Sequence, residues 1–326
     1  MNTKTSIRWG ILGCGDVTEV KSGPGFQKAE GATLMAVMRR NGELAADYAR
    51  RHGVPRWYDD AEALINDPEI DAVYIATPPG AHQPLALRCA AAGKPCYVEK
   101  PMALSHAQSL VMLQAFAHRQ LPLFVAYYRR AMPRFLKIRS LVQGGAIGSV
   151  RAVHLLLQQP PMPEDVDHDN PPWRLDPTLA GGGRFVDMGA HQLDFLDYLF
   201  GPITEVHGVA SHLAGHGKVE DTVSASFCFG NGIVGSGSWC FSASERVDRC
   251  ELIGSAGRLV FSTFDDAPFT LHTAAGVEEF HIPNPPHVQQ PLIQCVTEAL
   301  LGHGSSPSTG ESAARTDAVI DRILGR

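Results

Sequence analysis

Three stretches of the 326-residue chain carry residue types that could do chemistry. Val98-Glu99-Lys100-Pro101 is the apolar-to-polar end of a short strand-like run, and it sets an ammonium group where the character of the chain changes. Asp187 and His191, in "DMGAH", stand one helical turn apart, close enough to act on one ligand oxygen. The glycine run "GGG" ahead of them lets backbone and substrate approach. The same D-x-x-x-H spacing also suits an exposed or mutually satisfied polar pair. Gly13-x-Gly15, with Asp16 and Val17 directly after it, closes the apolar run Ile7 to Leu12 and precedes a helical stretch. Such a strand, tight turn and helix bring bare backbone and free N–H groups to a pyrophosphate. Thr18 takes the third position of this fingerprint, normally Gly or Ala, and Pro24 implies a short or kinked first helix.

Positioning these groups falls first to an alternation of strands and helices. "TLMAVMRR", "DAVYIATPP", "PCYVEK" and "PLFVAY" read as strands, and "GELAADYARRHG", "GAHQPLALRCAAAG" and Ser105 to Gln120 as the helices between them, the last with Ser105 as N-cap. Continuous apolar strands fit a parallel sheet covered on both faces. The expectation is an α/β Rossmann-type doubly wound domain over 1–127. Ligands of such a sheet sit at the carboxyl ends of its strands, here Gly13 to Gly15, Arg39-Arg40, Thr77-Pro78-Pro79 and Glu99-Lys100-Pro101. An NAD site usually places an acid after the second strand. This chain has Met38-Arg39-Arg40-Asn41, and two guanidiniums can grip a 2′-phosphate, so NADP(H) is favoured over NAD(H). Solvated arginines, or an arginine stacked on adenine without choosing, fit the same residues.

Over 128–326 the pattern becomes that of an α+β domain with a mainly antiparallel open sheet. After Tyr127-Tyr128-Arg129-Arg130, a helix from about Pro133 to Val142 leads into the long strand "SVRAVHLLLQ", and seven short glycine-punctuated runs from "EVHGVASHLA" to "VEEFHI" read as an antiparallel meander. Two helical stretches close the chain, and pattern leaves open whether the final one, 311–325, packs back on the first domain. The proline-rich loop "QPPMPEDVDHDNPPWRLDPTLAGGG" holds His168, Trp173 and Arg174 and has the length of a substrate-covering segment. Its Asp165, Asp167 and Asp169 resemble a calcium loop only faintly: Asn170 replaces the required glycine and Asp176 stands where glutamate belongs, so no metal is expected. In "GGGRFVDMGAHQLDFLDYLFG", Leu193, Leu196, Leu199 and Phe200 form an apolar stripe, with Asp187, His191, Asp194 and Tyr198 on another face.

Composition narrows the function classes. Net charge is 28 − 34 = −6 with the acids scattered, which recommends neither nucleic acid nor an acidic membrane as partner. Seven widely spaced cysteines without a C-x-x-C pair argue for reduced thiols, and with no apolar leader or spanning stretch the expectation is a cytoplasmic protein.

In combination, "GILGCG", "DAVYIATPPGAH", "YVEKP", "YYRRAMP", "GGAIG", "WRLDP…GGG" and "DMGAH" resemble the Gfo/Idh/MocA family of NAD(P)-dependent oxidoreductases, which includes glucose-fructose oxidoreductases and inositol dehydrogenases. The resemblance covers the first two thirds of the chain. It implies that Lys100, Asp187 and His191 line the reacting carbon, that Gly13, Gly15, Arg39, Thr77, Pro78, His82 and Glu99 surround the cofactor, and that the protein forms a homo-oligomer, dimer or tetramer. Tyr128, Arg129, Trp173 and Arg174 join Asp187 and His191 as candidates to hold substrate. Hydride transfer at a carbinol carbon needs alignment, a proton acceptor and positive charge against the developing alkoxide. His191 is suited to the proton step near neutral pH, Lys100 to bonding the reacting oxygen and Asp187 to orienting the hydroxyl or the imidazole. The residues leave open whether Lys100 and His191 exchange roles. The expected activity is an NADP(H)-dependent dehydrogenase or reductase of a sugar, polyol or related hydroxy-carbonyl compound. A non-catalytic NADP-binding regulator and a glycosidase with a tightly held cofactor are the alternatives.

Overall fold

The computed structural model describes residues 4–167, 169 and 171–326; His168 and Asn170 of the proline-rich loop lie outside them. The chain forms two compact units. Met1–Ala103, Ala107–Met132 and Pro285–Ala314 make the first, and Leu104–His106, Pro133–Asn284 and Arg315–Arg326 the second.

In the first unit six strands, β1 (Ile7–Leu12), β2 (Ala32–Met38), β3 (Arg56–Tyr58), β4 (Ala72–Ile75), β5 (Cys96–Val98) and β6 (Leu123–Val125), pair in parallel in the order β3-β2-β1-β4-β5-β6. That is the order of a dinucleotide-binding sheet, with its switch point between β1 and β4. Strands β4, β5 and β6 are buried at every position, which is why they read as unbroken apolar runs. Strand β3 gives no such signal, because its three residues, Arg-Trp-Tyr, are only partly buried. The expected first helix is two short ones, α1 (Asp16–Val20) and α2 (Gly23–Lys28). A Cβ at Gly23 would lie 2.3 Å from the Thr18 carbonyl oxygen, and Pro24 has no N–H to continue the ladder. Helices α3 (Gly42–His52), α4 (Ala61–Ile65), α5 (His82–Ala91) and α6 (His106–His118, directly after Ser105) fill the connections.

In the second unit α7 (Pro133–Gln143) precedes β7 (Val150–Gln158), and the four-residue α8 (Pro177–Ala180) and α9 (Ala190–Phe200) precede the remaining strands. These are β8 (Ile203–Ser211), β9 (Thr222–Phe229), β10 (Val234–Cys240), β11 (Val247–Gly254), β12 (Gly257–Phe261), β13 (Phe269–Thr273) and β14 (Gly276–Phe280). The eight-stranded sheet is mainly antiparallel, but it is not a simple meander. Its order is β14-β13-β12-β11-β7-β10-β9-β8, with β7 inserted between β10 and β11 and parallel to β10. The first strand of the unit thus takes the central position, where Val153, Leu155 and Leu157 are buried.

Two helices close the chain, α10 (Gln290–Leu301) and α11 (Gly310–Ile323). Leu292, Ile293 and Val296 of α10 join Trp9, Phe26, Tyr74 and Tyr97 in the core of the first unit. The residues of α11 from Arg315 onward belong to the second unit, where Ile323 packs against Gly208 of β8.

Helix α9 is buried along Ala190–Asp197 rather than along one stripe. Several of its polar side chains bond within the unit. The Trp239 indole donates to Gln192 Oε1 at 2.6 Å, and Arg315 clasps the Asp197 carboxylate at 2.7 and 2.9 Å. Thr316 donates to Asp194 at 3.4 Å, and Arg139 covers the Tyr198 ring at 4.5 Å. Asp194 and Tyr198 thus make contacts inside the second unit.

Candidate active site

The carboxyl ends of the first unit's strands lie side by side because backbone bonds tie each to the next. Gly13 N donates to the Met38 carbonyl at 2.8 Å, Ala76 N to Leu12, and Glu99 N to Ile75. Gly13 adopts φ +92°, the left-handed region open to glycine, and a Cβ there would strike Thr77. At Gly15 the reverse holds: a Cβ would meet nothing nearer than the Gly13 carbonyl oxygen at 4.0 Å, so bare backbone faces open space. Asp16 is exposed and Val17 half-buried at the start of α1. Thr18, in the third fingerprint position, is fully buried and turns its hydroxyl back onto the Gly15 carbonyl at 2.7 Å. That internal bond lets a threonine stand where a smaller residue is usual.

Arg39 and Arg40 are exposed at the end of β2. Burial pushes the Cys14 thiol, inside the glycine turn, up to about 11, and the Arg39 charge works against that rise. At the end of β4, Pro78 is exposed and Pro79 buried. The Thr77 hydroxyl is buried with no hydrogen-bond partner among the described residues. A buried hydroxyl without a partner beside an open glycine backbone fits a ligand rich in phosphate and hydroxyl acceptors, such as a dinucleotide. His82 is wholly buried, its ring nitrogens 2.8 Å from the Thr77 carbonyl and 3.0 Å from that of Pro101. Burial draws its pKa down, and the imidazole acts as a strut between two strand ends.

Glu99 is 7% exposed and its carboxylate turns inward. Oε1 accepts from the Tyr74 hydroxyl at 2.5 Å and from Gln289 Nε2 at 2.6 Å, while Oε2 accepts from Lys100 N at 3.1 Å. Lys100 follows, half-buried, with a cis peptide bond to Pro101. Tyr128 and Arg129 lie just past β6 in a 3-10 turn, with the Arg129 guanidinium over the Tyr128 ring at 5.0 Å. Arg129 is buried, and Arg130 donates to the Pro307 carbonyl at 3.1 Å.

In the second unit the segment ahead of α9, Phe185–Gly189, is a π-helical turn, so Asp187 and His191 span a change of helical geometry and not one regular helix. Asp187 accepts from Arg174 Nε at 3.3 Å, and the Arg174 guanidinium lies 4.5 Å over the Trp173 ring. The proline-rich loop thus delivers Trp173 and Arg174 to Asp187. The loop is itself anchored: buried Arg184 grips Asp165 through Nη2 at 2.6 Å and Nε at 3.1 Å and reaches Glu164 at 3.1 Å. That pairing accounts for Asp165, one of the three acids with calcium-like spacing. His191 is 5% exposed, with the Phe264 ring edge-on at 6.0 Å.

The glycine run serves this unit differently from the expectation. A Cβ at Gly182 would lie 2.4 Å from Val186, and one at Gly183 2.2 Å from the Glu220 carbonyl oxygen. Gly183 N also donates to the Glu220 side chain at 2.7 Å. At both glycines the place of a side chain is taken by neighbouring protein. Sequence reasoning also missed Gln289 and Phe264. Each is an isolated residue in a loop, with no motif to mark it.

Residues 7–127 match the family model described as "Oxidoreductase family, NAD-binding Rossmann fold", and residues 135–260 match the GFO/IDH/MocA C-terminal domain. The chain belongs to the GFO/IDH/MocA family and is an NAD-binding oxidoreductase. Among its relatives, the protein named Oxidoreductase P35 of Formosa agariphila is 39% identical over 99% of both chains. The 1,5-anhydro-D-fructose reductase of Ensifer adhaerens is 26% identical over 93% of this chain and 91% of its own. A solved levoglucosan dehydrogenase, in complex with NADH and levoglucosan, shares the fold with a TM-score of 0.87 at 24% identity, covering 98% of this chain and 96% of that one.

Proposed function

We propose that this oxidoreductase transfers a hydride between NADP(H) and a carbinol or carbonyl carbon of a sugar, polyol or related small molecule. The observation that carries the reading is the strand-end cradle, open at Gly15 and lined by the unpartnered Thr77 hydroxyl, with Lys100 on the same sheet edge. Relatives named as a 1,5-anhydro-D-fructose reductase, a levoglucosan dehydrogenase and a myo-inositol 2-dehydrogenase support the substrate class.

A bound nicotinamide dinucleotide supplies or accepts the hydride. Gly13, Gly15, Asp16 and Val17 receive its pyrophosphate, and Thr77, Pro78, Pro79 and Glu99 border it, with His82 bracing Thr77. Arg39 and Arg40 take a 2′-phosphate; their exposure, and the lack of an acid between Met38 and Asn41, support NADP(H). Lys100 bonds the reacting oxygen and places positive charge against the developing alkoxide. His191 takes or returns the hydroxyl proton, and Asp187, steadied by Arg174, orients the reacting group. Trp173 and Arg174 from the loop, with Tyr128 and Arg129, hold the remainder of the substrate.

The seven free thiols support a cytoplasmic location. The outward face of the eight-stranded sheet supports a homo-oligomer, dimer or tetramer: register aligns Val209 with Ser224 and Ser238, and His207 with Ser226, Ser236 and His154. The test is a thermal-shift comparison of NADP and NAD, followed by a carbinol and carbonyl panel scored for net change in reduced nicotinamide. A larger shift with NADP and net turnover of a sugar or polyol are expected. A larger shift with NAD overturns the arginine argument, and no net turnover with any carbinol or carbonyl overturns the activity.

A further inference from the structure

Beneath the strand ends of the first unit lies a polar cluster of which the proposed function uses only Glu99. Tyr74 of β4 and Tyr97 of β5 are register partners, their rings stacked 5.1 Å apart and wholly buried. Both phenols point toward Gln289, a residue 1% exposed in the turn ahead of α10, remote in sequence. Gln289 Oε1 accepts from Tyr97 at 3.3 Å, while its Nε2 donates to Glu99 Oε1 at 2.6 Å. Tyr74 completes the ring by donating to the same Glu99 oxygen, and burial followed by the Glu99 charge holds both phenols well above their ordinary pKa, as neutral donors.

Glutamine is suited to this position, because one amide must donate to a carboxylate and accept from a phenol. Glutamate there would set two carboxylates together, and leucine would leave buried groups unsatisfied. With Oε1 fixed from below, the other Glu99 oxygen is aimed at Lys100 N. The Gln289 backbone N in turn donates to the Lys21 carbonyl at 3.3 Å, so the cluster reaches from the end of α1 to Lys100. We propose that Gln289 is a positioning residue, which sets Lys100 through Glu99. The inference rests on the role given to Lys100 above.

The test compares Gln289→Leu and the more adaptable Gln289→Met with Lys100→Ala and with the Glu99→Gln/Gln289→Leu double variant. Turnover is expressed per site able to bind NADP(H), so misfolded protein does not count. Loss of positioning lowers kcat on the order of 10–100-fold in both Gln289 variants. NADP(H) affinity stays within about threefold, and the double variant falls less than about threefold below Glu99→Gln alone, because the two residues act through one contact. Turnover of either Gln289 variant within about twofold of the parent, or independent and multiplying losses in the double variant, overturns the proposal. Should Lys100→Ala turn over normally, the proposed function itself fails. If that variant is inactive while the Gln289 variants are not, only the positioning role fails.

Discussion

Gly15 and Gly183 each close a glycine-rich turn just ahead of a helical segment, and in sequence both read as places where backbone approaches a ligand. Their surroundings differ. A side chain added at Gly15 would enter open space, whereas one at Gly183 would lie 2.2 Å from the Glu220 backbone. The first turn belongs to a sheet edge where parallel strands end together, a place that topology leaves vacant for ligands. The second is wedged against Glu220, whose carboxyl burial pushes above the usual range, and next to Arg184, which ties down the proline-rich loop. A glycine run therefore reports only that something comes close to the backbone. The direction of the missing Cβ says whether that is ligand or protein.

Substitutions separate the two turns. Arg184→Ala leaves Asp165 buried without its cation and should cost about 3–5 kcal/mol in denaturant unfolding of the whole chain. A loss below about 1 kcal/mol would mean the loop is not held from this point. Gly183→Ala should cost about 1–3 kcal/mol of stability, because backbone must shift to admit the methyl group. Gly15→Ala should leave the melting temperature unchanged while weakening binding of the nicotinamide dinucleotide at least about tenfold, roughly 1.4 kcal/mol. Unaltered cofactor affinity in that variant, or equal thermal losses at the two glycines, would erase the distinction.

The smallest effect concerns the edge of the first turn. Arg51, bonded to Glu19 of α1 at 2.7 Å, holds that carboxyl down to about 2, against an ordinary value of 4.5. Because the folded value lies below the unfolded one, this stabilisation is complete above about 4.5 and is lost as pH falls through about 2. The pair is partly exposed, so Glu19→Gln should cost under about 1 kcal/mol at neutral pH and progressively less as pH falls through about 2. An equal cost at neutral pH and below about 2 would rule out the ion pair as its source.

The parallel sheet was legible because β4, β5 and β6 are buried on both faces and so appear as bare apolar runs. Residues at the ends of β1, β4 and β5 followed from that pattern and from the family's motifs. Strand β3 was not legible, since a partly buried three-residue edge strand needs no apolar run. Nor was the insertion of β7 beside β10, because hydrophobic alternation sets a strand's faces and not its neighbours. Around the second-unit residues a regular helical period implied one polar face from Asp187 to Tyr198. The π turn at Phe185–Gly189 breaks that period, and Asp194 is committed to Thr316. Gln289 lies some 190 residues from Glu99, so only the folded chain shows its contact.

The central claim is that Lys100 and His191 carry the chemistry while the glycine turn carries the cofactor. Turnover of Lys100→Ala and His191→Ala, measured beside nicotinamide dinucleotide affinity on a substrate found in the panel, tests it most directly. Both variants should lose about 10²-fold or more in kcat and bind the dinucleotide nearly as the parent does. Normal turnover in both, with cofactor binding intact, would contradict the account.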